Sequence, residues 1–349
     1  MTRLWLDGCL DFFHYGHGRA LLQAKKLGSS LVVGVHSDEE VTHHKGVPVM
    51  NLAERCLAAS CCKWVDQVVP YAPYVTELPW LDKYDCDYVV HGDDVTTDAN
   101  GEDCYRIAKA ANRFKLVKRT EGISTTELLQ RILVPSSNPL SVSNVQSGLE
   151  KYRSMLTEFA AGCDGKTIES DIFVRMENGT LEHIVTGDLM NKAGLKGEIL
   201  YIDGEWNLVT KTHLDFLKQC KEQFPTLPIV AGIFSNENCS QQPFLDLFQR
   251  SMNILQCKFV DAVIINAPKV NGLNQIRENL KLSKVHVPIP NFQSNDVTLT
   301  DTEIGNGPRP YDTDGTNQII QRVQLRRKEY EERQLRKLGK HEFERLMKN

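Results

Sequence analysis

One half of the chain recurs in the other. Tyr201-Ile202-Asp203-Gly204 repeats Leu6-Asp7-Gly8, and Lys258-Phe259-Val260-Asp261 repeats Lys63-Trp64-Val65-Asp66. The paired Asp residues lie 59 positions apart in the first half (Asp7 to Asp66) and 58 in the second (Asp203 to Asp261). Arg55 and Arg250 each stand eleven positions before the second Asp. Agreement over such a span marks an internal duplication, so both halves must adopt one architecture. At 349 residues there is room for two domains, each with its own core.

That architecture is legible in the first half. Leu4-Trp5-Leu6 reads as a buried strand, and Ala20, Leu21, Ala24 and Leu27 then recur at helical spacing until Gly28. Leu31 to Val35 is a second strand, and Asn51-Leu52-Ala53-Glu54 is a capping box that opens a helix. Val65 to Val69, Asp87 to Val90 and Phe114 to Val117 read as further strands, with helices over 76–84 and 102–112 between them. Ser124-Thr125-Thr126-Glu127 caps a last helix to about Leu133. Alternating strands and helices predict an α/β class with a parallel sheet flanked by helices. The expected organisation is two tandem Rossmann-like domains, over 1–134 and, as a degenerate copy, 199–316. A Pro- and Ser-rich break at 135–147 opens a linker over 135–198, with a helix at 149–159, and a charged helix occupies 317–349.

The chemistry gathers where strands give way to helices. Asp11-Phe12-Phe13-His14-Tyr15-Gly16-His17 follows the first strand and opens a helix, so free backbone N–H groups and a positive dipole end meet two imidazoles three residues apart. Gly16 lets a ligand approach the backbone. Lys45-Gly46 lies on a loop suited to closing over phosphate. His91-Gly92-Asp93-Asp94 ends the fourth strand and Arg119-Thr120-Glu121-Gly122-Ile123-Ser124-Thr125-Thr126 the fifth, adding an Arg and hydroxyls at a second helix N-terminus. All four clusters fall at the carboxyl edge of one sheet, where α/β proteins bind nucleotides.

His14-Tyr15-Gly16-His17, Lys45-Gly46, Lys63 to Asp66, His91 to Asp94 and Arg119 to Thr125 stand in an order and spacing that resembles the cytidylyltransferases of phospholipid synthesis, in the nucleotidyltransferase superfamily named for its H-x-G-H motif. Val89-Val90-His91-Gly92 and the second related half are most similar to the ethanolamine-specific branch. The resemblance implies transfer of CMP from CTP, with Mg²⁺, to phosphoethanolamine. It assigns catalysis to His14, His17, Lys45 and Arg119. It assigns CTP contact to those four with Cys9, Leu10, Asp11, Gly16, His91, Gly92, Asp93, Asp94, Gly122, Ile123, Ser124, Thr125 and Thr126. The acceptor's ammonium is expected near Asp7, Tyr74 and Trp80. Phosphocholine or glycerol 3-phosphate as acceptor, or CTP binding without turnover, are the competing readings. No separate protein-held metal site is expected.

Aligned on the Asp-Gly pair, the second half replaces Asp11 by Asn207, His14 by Thr210 and Gly16 by Thr212, and retains only His213 for His17. It reads as a scaffold, pairing with the first half as a pseudo-dimer within one chain; further self-association is left open. The formal net charge of −4 supplies no basic field for nucleic acid. Ten cysteines without a C-x-x-C indicate free thiols in a reducing compartment. No leader pattern or membrane-length apolar run is present, so a cytoplasmic protein is expected, at most peripheral at the endoplasmic reticulum. From Arg322 to Lys348 ten Lys/Arg face five Glu, a basic helix whose sparse apolar residues favour packing or solvation over more than weak membrane contact.

Overall fold

A computed structural model describes residues 1–94, 96–98, 100–134, 144–194, 196–269, 272–291, 296–301 and 310–335. The chain divides into two compact units: Met1–Ser60 with Val65–Ser137 and Asn317–Asn349, and Cys61–Trp64 with Asn138–Thr316.

In the first unit, β1 (Arg3–Gly8), β2 (Ser30–His36), β3 (Gln67–Ala72), β4 (Tyr88–Gly92) and β5 (Phe114–Val117) form a sheet in the order β3-β2-β1-β4-β5. Every pairing is parallel. Leu4, Trp5, Leu31, Val32, Val33, Val89 and Val90 are all fully buried, as continuous apolar strands covered on both faces must be. Gly34 is required where the Trp5 indole crosses β2, since a Cβ there would overlap the ring.

The helices of this unit are α1 (Tyr15–Lys26), α2 (Asp38–His44), α3 (Leu52–Ser60), α4 (Leu78–Lys83), α5 (Arg106–Ala110) and α6 (Thr125–Leu133). The capping box of α3 forms as expected: Glu54 N–H donates to Asn51 Oδ1 at 2.9 Å and Asn51 N–H to Glu54 Oε2 at 3.0 Å. The sequence reading misses α2, treating it as strand end and loop. Its signal is a second cap, Ser37, whose hydroxyl accepts from the Glu40 N–H at 3.2 Å. Helix α5 is shorter than the expected 102–112 because side-chain turns at Asp98 and Asp103 take up the preceding backbone N–H groups.

In the second unit, β6 (Asp171–Arg175), β7 (Leu181–Val185), β8 (Glu198–Gly204), β9 (Ile229–Phe234), β10 (Ala262–Ala267), β11 (Lys284–Asn291) and β12 (Asp296–Thr300) form one sheet, ordered β12-β11-β8-β9-β10-β6-β7. The run β11-β8-β9-β10 reproduces β4-β1-β2-β3. The helices are α7 (Val145–Phe159), α8 (Leu189–Ala193), α9 (Lys211–Gln223), α10 (Leu247–Leu255) and α11 (Gly272–Asn279). Residues 144–194 are therefore not a linker: β6 joins β10 in parallel through the buried Ile172, Phe173 and Val174, and β7 closes that edge antiparallel. Antiparallel β12 takes the place that parallel β5 holds in the first half. Of the expected break at 135–147, residues 135–143 lie outside the described residues and Asn144 caps α7.

The duplication preserves the frame. Lys25 and the Leu31 N–H both donate to Asp66, each at 2.6 Å; Lys221, at 3.5 Å, and the Ile229 N–H, at 2.9 Å, do the same to Asp261. Within the second unit Cys62 and Cys257 form an antiparallel bridge, flanked by Lys258 N–H to Cys61 O at 2.8 Å and Lys63 N–H to Gln256 O at 2.9 Å. The tail begins as α12 (Pro310–Leu325), and residues 327–335 are helical after a turn at Arg326. Among the described residues no helix is long and apolar enough to cross a membrane.

Candidate active site

The site begins with backbone strain. Leu10, Phe12 and Phe13 carry positive φ of 54°, 62° and 32°, values that non-glycine residues rarely adopt and that cluster at functional turns. Their side chains are buried, which over-determines the turn. The Asp11 carboxylate holds it: Oδ2 accepts from Val49 N–H at 2.9 Å, and Oδ1 from Met50 N–H at 3.0 Å and Phe12 N–H at 3.1 Å. Asp11, expected among the nucleotide contacts, thus has its carboxylate committed to joining the turn to the 45–50 loop. Burial raises its carboxyl above the usual range, and the two loop N–H groups oppose that rise.

His14 is the N-cap of α1, its carbonyl accepting from His17 N–H at 2.9 Å and Gly18 N–H at 3.2 Å. The His14 and His17 rings stack 3.8 Å apart at 19°. Both His14 ring nitrogens and His17 Nδ1 are buried without a partner. Buried polar atoms are almost always paired, so three orphans at one helix N-terminus mark a place built for a ligand. Burial, the neighbouring His17 and then Arg119 hold the His14 imidazole well below its usual value. Burial, Lys45 and then Arg119 pull His17 down to about 3. Both imidazoles are therefore neutral at pH 7. Gly16 has a packing reason beyond ligand access: a Cβ would lie 2.8 Å from Ile123 Cγ2 and 2.9 Å from His14 Nδ1.

Two cations flank the histidines. Lys45 closes α2, with Nζ 5.5 Å from the centre of the Tyr74 ring. Arg119 is half-exposed, 3.5 Å from the Asp94 carboxylate, and its N–H donates to Asp93 Oδ1 at 2.9 Å. The acidic pair thus orients the Arg119 loop. Next to it Ser124 caps α6 by accepting from Glu127 N–H at 3.1 Å, and the Thr125 hydroxyl donates to the Asp11 carbonyl at 3.2 Å. Gly122, at φ +75°, has open space around its Cα. His91 leans on Tyr105 with ring centres 4.6 Å apart, and a Cβ at Gly92 would crowd Asp94 Oδ1 at 2.7 Å. Burial raises the Cys9 thiol, and the Cys9 carbonyl accepts from Arg55 at 2.7 Å.

The three residues expected at the acceptor have different partners. The buried Asp7 accepts from Trp5 Nε1 and Tyr105 Oη, both at 2.7 Å, and from the Thr76 hydroxyl. Tyr74 is sandwiched by His44, stacked at 3.8 Å and 8°, with His36 tilted at 5.1 Å. Trp80 instead packs edge-on to Trp5 at 6.1 Å and against Tyr84 at 5.4 Å, in the apolar cluster under the sheet. The sequence reading missed His36, His44 and Tyr105. The switch from apolar to polar residues at His36 was a usable signal; nothing local marks Tyr105.

Arg55 ties these pieces together. Fully buried, it donates to the carbonyls of Cys9 at 2.7 Å, His36 at 2.8 Å and Met50 at 3.0 Å, and to Asp38 Oδ1 at 2.6 Å. Arg250 repeats this on the carbonyls of Glu205, Phe234 and Leu245 and on Asn236 Oδ1. The second half keeps the frame without repeating the His-x-Gly-His turn. His213 is buried and serves the capping box of α9, with Nδ1 2.9 Å from the Thr210 hydroxyl. Gly315 packs so closely on Thr210 that a Cβ would overlap that hydroxyl.

Comparison with known proteins reproduces the duplication. The Cytidylyltransferase-like family model matches residues 5–131 and again 201–290. A probable ethanolamine-phosphate cytidylyltransferase of Schizosaccharomyces pombe is 48% identical, covering 98% of this chain and 95% of its own length. The ethanolamine-phosphate cytidylyltransferase of Saccharomyces cerevisiae is 39% identical over 76% of this chain and 80% of its own. That of Mus musculus is 32% identical over 97% of this chain and 90% of its own. With its duplicated fold and its single intact H-x-G-H turn, the chain belongs to the ethanolamine-phosphate cytidylyltransferase family of cytidylyltransferase-like proteins.

Proposed function

We propose that the chain transfers CMP from CTP to phosphoethanolamine, releasing pyrophosphate and CDP-ethanolamine, at the His14–His17 turn of the first half. The observation that carries this is the pair of buried, neutral imidazoles with orphaned nitrogens at the start of α1, between Lys45 and Arg119. Whole-length similarity to ethanolamine-phosphate cytidylyltransferases supports phosphoethanolamine as acceptor.

The mechanism needs no general base, because the attacking phosphate oxygen is already anionic at pH 7. It attacks the α-phosphorus in line as pyrophosphate leaves, without a covalent intermediate. His14 and His17 donate hydrogen bonds to α-phosphate and leaving-group oxygens, positioned in advance and screened from water. Lys45 and Arg119 clamp the triphosphate, and the backbone from Gly122 to Thr126 meets its β/γ end at the N-terminus of α6. Asp7 and Tyr74, with His44 and Tyr105, face the acceptor's ammonium. Among the described residues no group of three or more His, Cys, Asp or Glu converges as a cation cage. Mg²⁺ would enter on the triphosphate, where it would neutralise phosphate charge beside Lys45 and Arg119. The second half is a scaffold: its counterpart site is occupied by its own side chains, and its Cys257 segment bridges Cys62.

CTP-dependent pyrophosphate release, assayed in parallel with phosphoethanolamine, phosphocholine and glycerol 3-phosphate, tests this reading. Release with phosphoethanolamine alone is expected. Release only with another acceptor would overturn the substrate, and CTP binding without release under any condition would overturn the enzyme.

A further inference from the structure

The tail is not a free appendage. From Asn317 it belongs to the first unit, and its buried residues lie against the loop that follows Lys45. The Tyr330 hydroxyl donates to the Pro48 carbonyl at 3.2 Å, and Tyr330 is almost wholly buried. The Arg333 guanidinium donates to the Val47 carbonyl at 3.0 Å, and its stem lies over Gly46, where a Cβ would come 3.2 Å from Arg333 Cδ. Arg322 forks onto both oxygens of Glu54, the capping residue of α3, at 2.6 and 2.8 Å. Gln334 reaches the Thr126 carbonyl on α6 at 2.8 Å.

Asp11 holds the same loop through the N–H groups of Val49 and Met50. The loop's amides are thus pinned by the turn that bears the histidines, and its preceding carbonyls by the tail. Directly after Lys45, Gly46 takes a φ of +97°, a left-handed conformation that favours glycine. The Lys45 and Gly46 N–H groups are held by the Val41 and Thr42 carbonyls on the helix side; the clasp fixes the loop that follows them. Few surface contacts of a charged helix would bury an arginine and a tyrosine to bond two consecutive carbonyls.

We propose that residues 322–334 form a strap that sets the position of Lys45 for CTP, with Tyr330 and Arg333 as positioning residues. This rests on the reading of Lys45 as a phosphate clamp. Tyr330→Phe removes one hydroxyl, and Arg333→Met keeps the apolar stem and removes the donor. Each should weaken CTP binding to the full-length protein by about tenfold, the scale of one lost hydrogen bond from a charged or ordered donor. KM for phosphoethanolamine should stay unchanged, a split that general loosening of the fold would not produce. Calorimetric CTP titration of each variant in wild-type and Lys45→Ala backgrounds separates the possibilities. Collapse of the strap effect in the Lys45→Ala background is the expected result. Additive losses, or equal shifts for CTP and acceptor, would overturn the strap while leaving the clamp intact. Full CTP affinity in Lys45→Ala alone would overturn the clamp reading, and the strap with it.

Discussion

His17→Ala should lower kcat/KM by about 10²–10³, the cost of deleting one preorganised donor from a water-excluded site. The protein should stay folded, because His17 Nδ1 makes no hydrogen bond whose loss would be felt. The same substitution changes the pH dependence of stability, and its direction follows from the burial of the ring. The folded imidazole titrates at about 3, below the unfolded value of about 6.5. Between those values the unfolded chain holds more protons, so stability falls as pH drops below about 6.5 and the loss levels off near pH 3. At pH 5 this amounts to about 2 kcal/mol for one such histidine. His17→Ala removes that share, so its stability should decline less steeply from pH 7 to 5 than that of the wild type. Denaturant unfolding at the two pH values reads the difference. A variant with wild-type slope and wild-type turnover would contradict both the burial and the role of this ring.

The second large effect is expected at a residue that never touches substrate. Arg55→Met should destabilise the first half by about 3–5 kcal/mol, since each carbonyl left without its donor costs about 1–3 kcal/mol. Three carbonyls, from Cys9, His36 and Met50, lose their donor, and Asp38 loses its counter-ion. Against a typical total of about 5–15 kcal/mol, such a loss leaves the unit marginal. Activity should fall with stability, since the same arginine joins the chain after β1, the chain after β2 and the start of α3. Arg250→Met should cost less. Its side-chain partner is the neutral Asn236, so no uncompensated carboxylate remains. Equal losses in the two variants would show that the Asp38 ion pair adds nothing to the frame.

These two residues also show what a single sequence can reveal. The placement of His14, His17, Lys45 and Arg119 was legible because they lie next to strand ends and helix caps, where local pattern puts a side chain at the sheet's carboxyl edge. Arg55 was legible only as a position shared with Arg250; that it gathers carbonyls from three segments is a tertiary fact. Asp11 has the same character, since nothing near it in sequence announces Val49 and Met50 as its donors. Helix α2 was within reach, through Ser37 and Glu40, but its three consecutive acidic residues look like a solvated loop. Trp80, read as facing the acceptor's ammonium, packs on Trp5 and Tyr84 with Lys83 Nζ 4.8 Å from its ring centre. The strands over 171–185 were obscured because β6 and β7 extend the sheet beyond anything present in the first half. Ile319, Val323, Tyr330 and Arg333 lie buried at helical spacing, but with an arginine and a phenol among them the stripe reads as part of a charged face.

The account as a whole turns on one nucleotide site in a duplicated chain. Thr210 and His213 are engaged with each other, and Gly315 lies against Thr210, so the second half is expected to take no nucleotide. The most direct test is the stoichiometry of CTP binding to the intact protein, measured by calorimetric titration with Mg²⁺ present. One CTP per chain, with binding weakened in the Lys45→Ala variant, is the predicted result. Two CTP per chain, or one that is indifferent to Lys45, would contradict it.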